Sequence, residues 1–594
     1  MPFSIVNSFD NNVNIYKWDS IWKYETAFEN GGYIGIDESY RSSMLRANQG
    51  QRMWKDDQQF NFNLNVPITP GLAGKVIASS VSFADRISGI KNDILTNFGS
   101  LGFQTQYIPN CNITTLMGYK FDNRLDQHDQ GMTYLVDFMM PRVDWNEYAN
   151  QVRLYLNGDQ FAVRENSDMQ VHYAVNKTFY SDTSDSLSIQ WKKKRRDNYD
   201  RWDGSNTNVE SLNENVLTIS NNLTYRLTKK LLLVTQSEIN SKQTAVNRLG
   251  TKDRRAKTDF SSMNEFRLLL NTSHIQNNFK LTYETNNLRN ETPDSLRSLP
   301  FSSRIAYVSP DYKSTRLAMG MDTDISFGKF DTLTTRHHAS IYRYDTPERT
   351  NFDDRDELRI DNTWIFSHRF TPRLKLKLNG SVNLKHLVFI FGQRSADNNW
   401  MRIIRLYPEI HYVINRRTRI FQAFEVLANY VDYDFEERAL SPSDIRSYVY
   451  RKFMTHHILT FSITRRTSAT INYKLELEEN GKLFWDDWTE MIISTRQNHY
   501  AKALLTYEII SHANISVGAL FYKRSENFNF SSNSNSISAL GLNDYISYGP
   551  TINLQYMPHE RIHVLFSGSR RAIDQVNRDR YYINNINLEV GWYL

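Results

Sequence analysis

The chain closes on Tyr581-Tyr-Ile-Asn-Asn-Ile-Asn-Leu-Glu-Val-Gly-Trp-Tyr-Leu594. Counted backwards, Leu594, Trp592, Val590, Leu588 and Ile586 form one apolar series, while Tyr593, Gly591, Glu589, Asn587 and Asn585 between them are mostly polar. A period of two belongs to an extended strand with one apolar and one wet face. An edge strand of a soluble sandwich alternates as well, so the decision turns on whether the rest of the chain repeats the pattern.

It does. Phe60, Phe62, Leu64 and Val66 alternate with Asn61, Asn63 and Asn65, then Pro67 and the Thr69-Pro70-Gly71 turn end the run. Leu217, Ile219, Leu223, Tyr225 and Leu227 alternate with polar neighbours up to a tight turn at Thr228-Lys229-Lys230. Leu358, Ile360, Trp364 and Phe366 oppose Glu357, Arg359, Asp361 and Thr363. The purest case is Arg373 to Lys385, with Leu374, Leu376, Leu378, Val382 and Leu384 on one face and Lys375, Lys377, Asn379, Asn383 and Lys385 on the other. Ile471, Tyr473, Leu475 and Leu477 likewise oppose Asn472, Lys474, Glu476 and Glu478. These are strands, not helices.

The connections alternate too. Tight turns fall near Pro70, Asn110, Lys229, Pro372, Arg417, Thr467, His512 and His559. Between them lie long polar stretches: Lys194 to Glu214, Ala245 to Lys257, Asn286 to Pro300, Ser395 to Asn399, Glu436 to Ser443 and Ser525 to Asn543. From Pro372 on, tight turns recur every ~45 residues, the length of two strands, one short turn and one long loop.

Alternation, short turns on one side and long loops on the other resemble the bacterial outer-membrane β-barrel superfamily, whose closing strand usually ends on an aromatic residue. Here Leu594 takes the last place, with Tyr593 and Trp592 before it. The resemblance implies an all-β fold, an up-and-down antiparallel transmembrane barrel of roughly 24 to 26 strands. It implies that Ile586, Leu588, Val590, Trp592 and Leu594 form a C-terminal signal for the barrel-assembly machinery. Outer-membrane lipid and lipopolysaccharide are the expected surroundings.

Composition agrees. Of 594 residues, 40% are hydrophobic and 23% charged, with mean hydropathy -0.58. No apolar run approaches the ~20 residues of a helical span, whereas a barrel strand needs only ~10 alternating residues. The 34 Tyr, 33 Phe and 11 Trp suit aromatic girdles at two membrane interfaces. One cysteine, Cys111, excludes an intrachain disulfide framework and a thiolate metal cluster. A net charge of +6, from 71 basic and 65 acidic residues, gives no footprint for nucleic acid. Met1 to Asp10 lacks the basic and apolar regions of a secretory signal. A barrel reading therefore takes the chain as a mature or truncated form, or its start as misassigned.

Two units are expected: residues 1–55, an irregular N-terminal segment supplying first strands or a lumen plug, and residues 56–594, the barrel. No separate plug domain is expected ahead of the strands, which argues against a TonB-dependent receptor. The wet faces would line the lumen, with Arg359, Asp361, Lys375, Lys377, Lys385, Lys474, Glu476 and Glu478 pointing inward. Their mixed signs suggest a hydrated wall without strong ion selection.

The most charged block, Lys192-Lys-Lys-Arg-Arg196, is either an anion or lipopolysaccharide contact or a solvated strand end. Asp122 to Asp129 invites a cation-binding reading, though the spacing matches no calcium loop. His337-His338 and His456-His457 are adjacent, so each pair splits between two faces and does not chelate one metal. Hydrolase elbows, phosphate-binding glycine loops and zinc-helix motifs are absent. The expectation is a protein without cofactor, metal or catalytic residues. It provides a passage or export conduit, or houses a periplasmic or lumen-filling partner. The alternatives are a surface scaffold that binds ligands through its loops and a secreted carbohydrate-active β-protein.

Overall fold

The computed structural model describes residues 3–12, 14–29, 31–46, 52–86, 92–108, 110–124, 127–179, 183–200, 208–248, 254–291, 311–347, 351–436, 445–485, 487–528, 544–559, 561–576 and 578–593. Those residues form one sheet of 28 antiparallel strands, each paired with the next in the chain. The sheet closes on itself. β1 (Phe3–Asn12) pairs along one edge with β2 (Ile15–Ala27) and along the other with β28 (Tyr581–Tyr593), from Ser4 opposite Tyr593 to Asn12 opposite Asn585. The far edge of β28 pairs with β27 (Ile562–Gln575), Ile562 lying opposite Trp592. Closure leaves no edge, the condition under which a sheet survives in hydrocarbon, where unpaired N–H and C=O groups find no water.

Residues directly opposite in an antiparallel ladder share a face, so the register carries each face around the ring. One face is an apolar belt whose large side chains stand in the open: Leu317 is 51% exposed, Ile341 55%, Ile404 49% and Val426 52%. Charged groups would solvate such a surface in water; an apolar one suits hydrocarbon. Aromatic residues edge the belt at both ends. Phe3 sits between Trp22 and Trp592, with ring centroids 6.1 and 6.2 Å away. At the opposite rim the guanidinium of Arg402 lies 3.9 Å from the Trp485 ring and 5.3 Å from that of Trp400. Closed pairing, an apolar outer belt and two aromatic girdles make this a transmembrane barrel of the bacterial outer membrane.

The turns sort by rim as their lengths suggest. All eight tight turns named above join an even-numbered strand to the following odd one, and so lie at the rim that holds both chain ends. The connection at 70–71 is the tightest kind: Pro70 sets φ for the first corner and Gly71, at φ +89°, takes the left-handed second corner. The six long stretches all fall at the other rim.

Three expectations are corrected. The strand count is 28, above the range read from turn spacing. In the N-terminal segment, for which first strands or a lumen plug were expected, β1, β2 and β3 (Tyr33–Arg46) are full staves of the wall. The supposed boundary at residue 55 falls inside β4 (Arg52–Thr69). Their polar residues blur the period of two, and pairing with neighbours on both sides decides the conformation instead. Finally, much of the supposed loop sequence is strand. Lys194 to Asp200 belongs to β11 (Ser184–Asp200) and Asn208 to Glu214 to β12 (Asn208–Thr228), paired as far as Asp200 opposite Asn208. β12 runs 21 residues and β24 (Thr489–Ile510) runs 22, about twice what a bilayer needs. Such hairpins extend past the membrane, where no lipid demands alternation. Residues 201–207, 249–253, 292–300, 437–443 and 529–543 of the expected loops, and Leu594 of the closing strand, lie outside the described residues.

Candidate functional site

The face opposite the apolar belt carries the barrel's ionic groups, linked across strands. Glu425 on β21 (Thr418–Tyr433) is 3% exposed and bound from both sides, by Arg405 on β20 (Asn399–Asn415) at 2.6 Å and Lys452 on β22 (Tyr448–Ser462) at 2.8 Å. Glu265 is held between Arg267, two residues along its own strand, and Lys280 on the next strand. A longer chain runs from Glu478 to Arg496 at 3.3 Å, on to Glu526 at 3.0 Å, and back to Arg524 at 2.9 Å. Glu425 meets its two cations across both neighbouring strands, whereas Glu265 and Glu526 each take one cation from a neighbouring strand and one from two residues away on their own.

The eight residues expected to line the lumen all share this polar face. Lys385 stands opposite Arg359 and binds Glu357 at 3.0 Å, while Arg359 binds Asp361 at 2.6 Å. Lys377 reaches Glu409 at 3.5 Å, Lys474 reaches Glu476 at 2.6 Å, and Glu478 joins the chain above. Lys375 lies opposite His411 and has no ion pair among the described residues. The eight are spread over β18 (Arg355–Thr371), β19 (Leu374–Phe389) and β23 (Thr467–Phe484); they form a wall and not a converging site.

The acidic run Asp122 to Asp129 holds a cation of a different kind. Asp122 on β7 (Asn112–Arg124) and Asp129 on β8 (Gln127–Trp145) face each other across the ladder and clamp the guanidinium of Arg164. Arg164 is 2% exposed, donates also to the Asp197 carbonyl at 3.3 Å, and lies 5.1 and 4.8 Å from the rings of Phe161 and Tyr199. Tyr199 in turn donates to Asp129 at 2.8 Å. The knot ties the turn after β9 (Tyr148–Phe161) to the flanking hairpins. Sequence gave no hint of Arg164, which sits in a turn and belongs to no periodic run.

The block Lys192 to Arg196 is divided by its strand: Lys192, Lys194 and Arg196 take the polar face and Lys193 and Arg195 the other. Arg195 is spent on Asp197 at 3.0 Å and Glu165 at 2.6 Å. The adjacent histidines split likewise, His337 meeting Asn362 and the Trp364 ring while His338 meets Arg316. Among the described residues no three His, Cys, Asp or Glu side chains gather as metal ligands.

At the long-connection rim, the short 3-10 turn Gly392–Asp397 is fastened by charge. Asp397 accepts from Arg446 at 3.0 Å and from Arg394 at 3.0 Å, and Arg446 also donates to the Ala396 carbonyl at 2.7 Å. The hydrogen bond from Arg446, followed by that from Arg394, holds the Asp397 carboxyl below the usual carboxylate range.

No family model matches this sequence, and no curated protein matches it. Solved structures with a similar course include the FrpB iron transporter from Neisseria meningitidis, at 8% identity over 78% of this chain and 79% of that one, TM-score 0.37. The ferric preacinetobactin receptor BauA from Acinetobacter baumannii is 8% identical over 100% of this chain and 80% of its own, TM-score 0.36. The siderophore receptor PirA from Pseudomonas aeruginosa is 10% identical over 99% and 80%, TM-score 0.36. At such identities and scores the likeness says nothing of what this chain binds.

Proposed function

We propose that the barrel is a conduit through the outer membrane, with its polar face as the lumen wall. The observation that carries this is the division of the closed sheet into an apolar face and an ion-paired one, since a sheet closed around water needs both. From strand spacing and a usual tilt, 28 strands enclose a backbone cylinder roughly 55 Å across. An open lumen that wide would leak small solutes, so inward connections or a periplasmic protein partner fill it. The paired charges make the wall close to neutral along its length and leave the choice of cargo to whatever fills it. The closing strand, Ile586 to Leu594, is the part read by the assembly machinery. Outward cations at the long-connection rim, such as Lys193, meet lipopolysaccharide.

The test is conductance of the purified protein in planar bilayers. Steps of conductance with near-equal cation and anion permeability are expected, because the wall pairs its charges. A protein that inserts, migrates as a folded barrel and passes no current even after its long connections are shortened would overturn the conduit in favour of a surface scaffold.

A further inference from the structure

Near the long-connection rim, the polar face of β24, β25 (Ala513–Phe528), β26 (Tyr545–His559), β27 and β28 holds a concavity of 590 Å³. Its walls are tyrosines: Tyr500, Tyr522, Tyr545 and Tyr581, with the rings of Tyr522 and Tyr545 5.4 Å apart. Leu520, Ile573 and Ile583 add an apolar lining, and two cations, Arg524 and Arg571, complete it. No carboxylate is among the lining residues.

The polar atoms here are unusually poorly served. Arg524 Nε, Arg571 Nε and Ser547 Oγ are buried and meet no hydrogen-bond partner among the described residues. Arg524 spends one arm on Glu526, at 2.9 Å. Among the described residues Arg571 has no carboxylate partner; its Nη2 meets the Asn585 amide, at 3.0 Å once that amide is turned to satisfy both its atoms. Arg571 stands where the β26–β27 ladder is interrupted, between the Tyr548–Ala572 and Thr551–Ser569 pairs. Pro550 has no N–H to donate there, and a Cβ on Gly549 would lie 1.8 Å from the Arg570 carbonyl. Elsewhere on this face Arg405, Lys452, Lys385 and Arg496 each find a carboxylate on a neighbouring strand. Here donors converge on a hollow with aromatic walls, the composition of a ligand site: an apolar pocket with a few fixed polar groups.

We infer that the concavity binds a carboxylate carried on a ring. The guanidiniums of Arg571 and Arg524 take the carboxylate, for which their forked donors are suited, and the tyrosine faces pack against the ring. An aromatic acid and a uronic sugar share this chemistry. The inference rests on the conduit reading for one thing only, the route by which a ligand reaches the polar face.

The full barrel, purified in detergent, is titrated calorimetrically with 4-hydroxybenzoate and with galacturonate, and with their uncharged counterparts 4-hydroxybenzamide and methyl galacturonate ester. One acid is expected to bind, its uncharged counterpart roughly tenfold or more weakly, and which acid binds identifies the source. Arg571→Gln should weaken that acid by a similar factor and Arg571→Lys by less, both variants still migrating as folded barrels. Tyr581→Ala should weaken acid and neutral probe alike. Should Arg571→Gln not fold, the comparison of acid with neutral probe on the unaltered protein decides. Absence of binding by either acid, equal binding of the neutral probe, or a folded Arg571→Gln with unchanged affinity overturns the site. Binding in detergent needs no flux: a barrel that binds but never conducts sinks the conduit alone, and one that conducts but does not bind sinks the site alone.

Discussion

Ile5 lies directly across the ladder from Trp592, although nearly the whole chain separates them. This contact is the seam of the barrel, and β28 is paired along both edges because of it. Removing residues 590–594 strips Val590, Gly591, Trp592 and Tyr593 from opposite Asn7, Val6, Ile5 and Ser4. The truncated chain should accumulate unassembled in the periplasm and show no heat-modifiable band on gels. A truncated protein that still reaches the membrane as a heat-modifiable barrel would show that the seam is dispensable.

Neighbouring residues on β19 should answer a charge in opposite ways. Leu378 is on the apolar belt, 37% exposed, whereas Asn379 donates to the Tyr407 carbonyl at 3.0 Å and to Glu409 at 3.1 Å on the polar face. Leu378→Arg should destabilise the barrel by about 2–4 kcal/mol if it lies near the bilayer midplane. Asn379→Arg gains Glu409 as a partner and should be nearly silent. Denaturant unfolding in liposomes reads both, and equal costs would mean that the faces are assigned wrongly.

Not every ion pair on the wall matters equally. Glu425 is 3% exposed between two cations, while the Arg359 side chain of the Arg359–Asp361 pair is 61% exposed. Glu425→Gln leaves Arg405 and Lys452 facing each other and should cost about 1–3 kcal/mol, below the full penalty of a broken buried pair because both cations keep some solvent. Asp361→Asn should cost less than about 1 kcal/mol, and less in high salt. A larger loss at Asp361 than at Glu425 would contradict this ranking.

The Asp397 cluster makes the long-connection rim sensitive to acid. A carboxyl held below its ordinary value stabilises the folded form at neutral pH, where it is charged in both states. That contribution shrinks once pH falls below the unfolded value, about 3.9, and is gone below the folded one. Protection from hydrogen exchange over residues 390–398, taken relative to the intrinsic rate at each pH, should therefore be higher at pH 7 than near pH 3, and Asp397→Asn should remove the difference. Exchange at pH 7 as fast in the native protein as in Asp397→Asn would mean the cluster holds nothing.

Sidedness can be read with single cysteines, since the native Cys111 is 3% exposed and should contribute little background. A membrane-impermeant maleimide added to intact cells should label Gln393→Cys, at the long-connection rim, and label Lys229→Cys only after permeabilisation. Labelling of Lys229→Cys in intact cells would place the tight turns outside.

Where a strand alternates cleanly its parity was legible without a structure, because alternation is local: one side chain per residue, turned by the pleat to one face or the other. Leu374 to Leu384, the eight polar-face residues and the grouping of tight turns at one rim all follow from that period and from turn chemistry. Closure was inferable only as a requirement, since nothing in Ser4 to Asn12 names β28 as its partner. What the tertiary structure alone decided is whatever depends on register between distant strands. Polar β1 to β3 are staves because their neighbours complete their backbone hydrogen bonds, which composition does not reveal. Arg164 meets Asp122 and Asp129 only because three hairpins end at one height. Tyr500, Tyr581, Arg524 and Arg571, scattered over four strands, become one hollow only when the ladders align them. Alternation is a property of neighbours in the chain, and sites are a property of neighbours in the sheet.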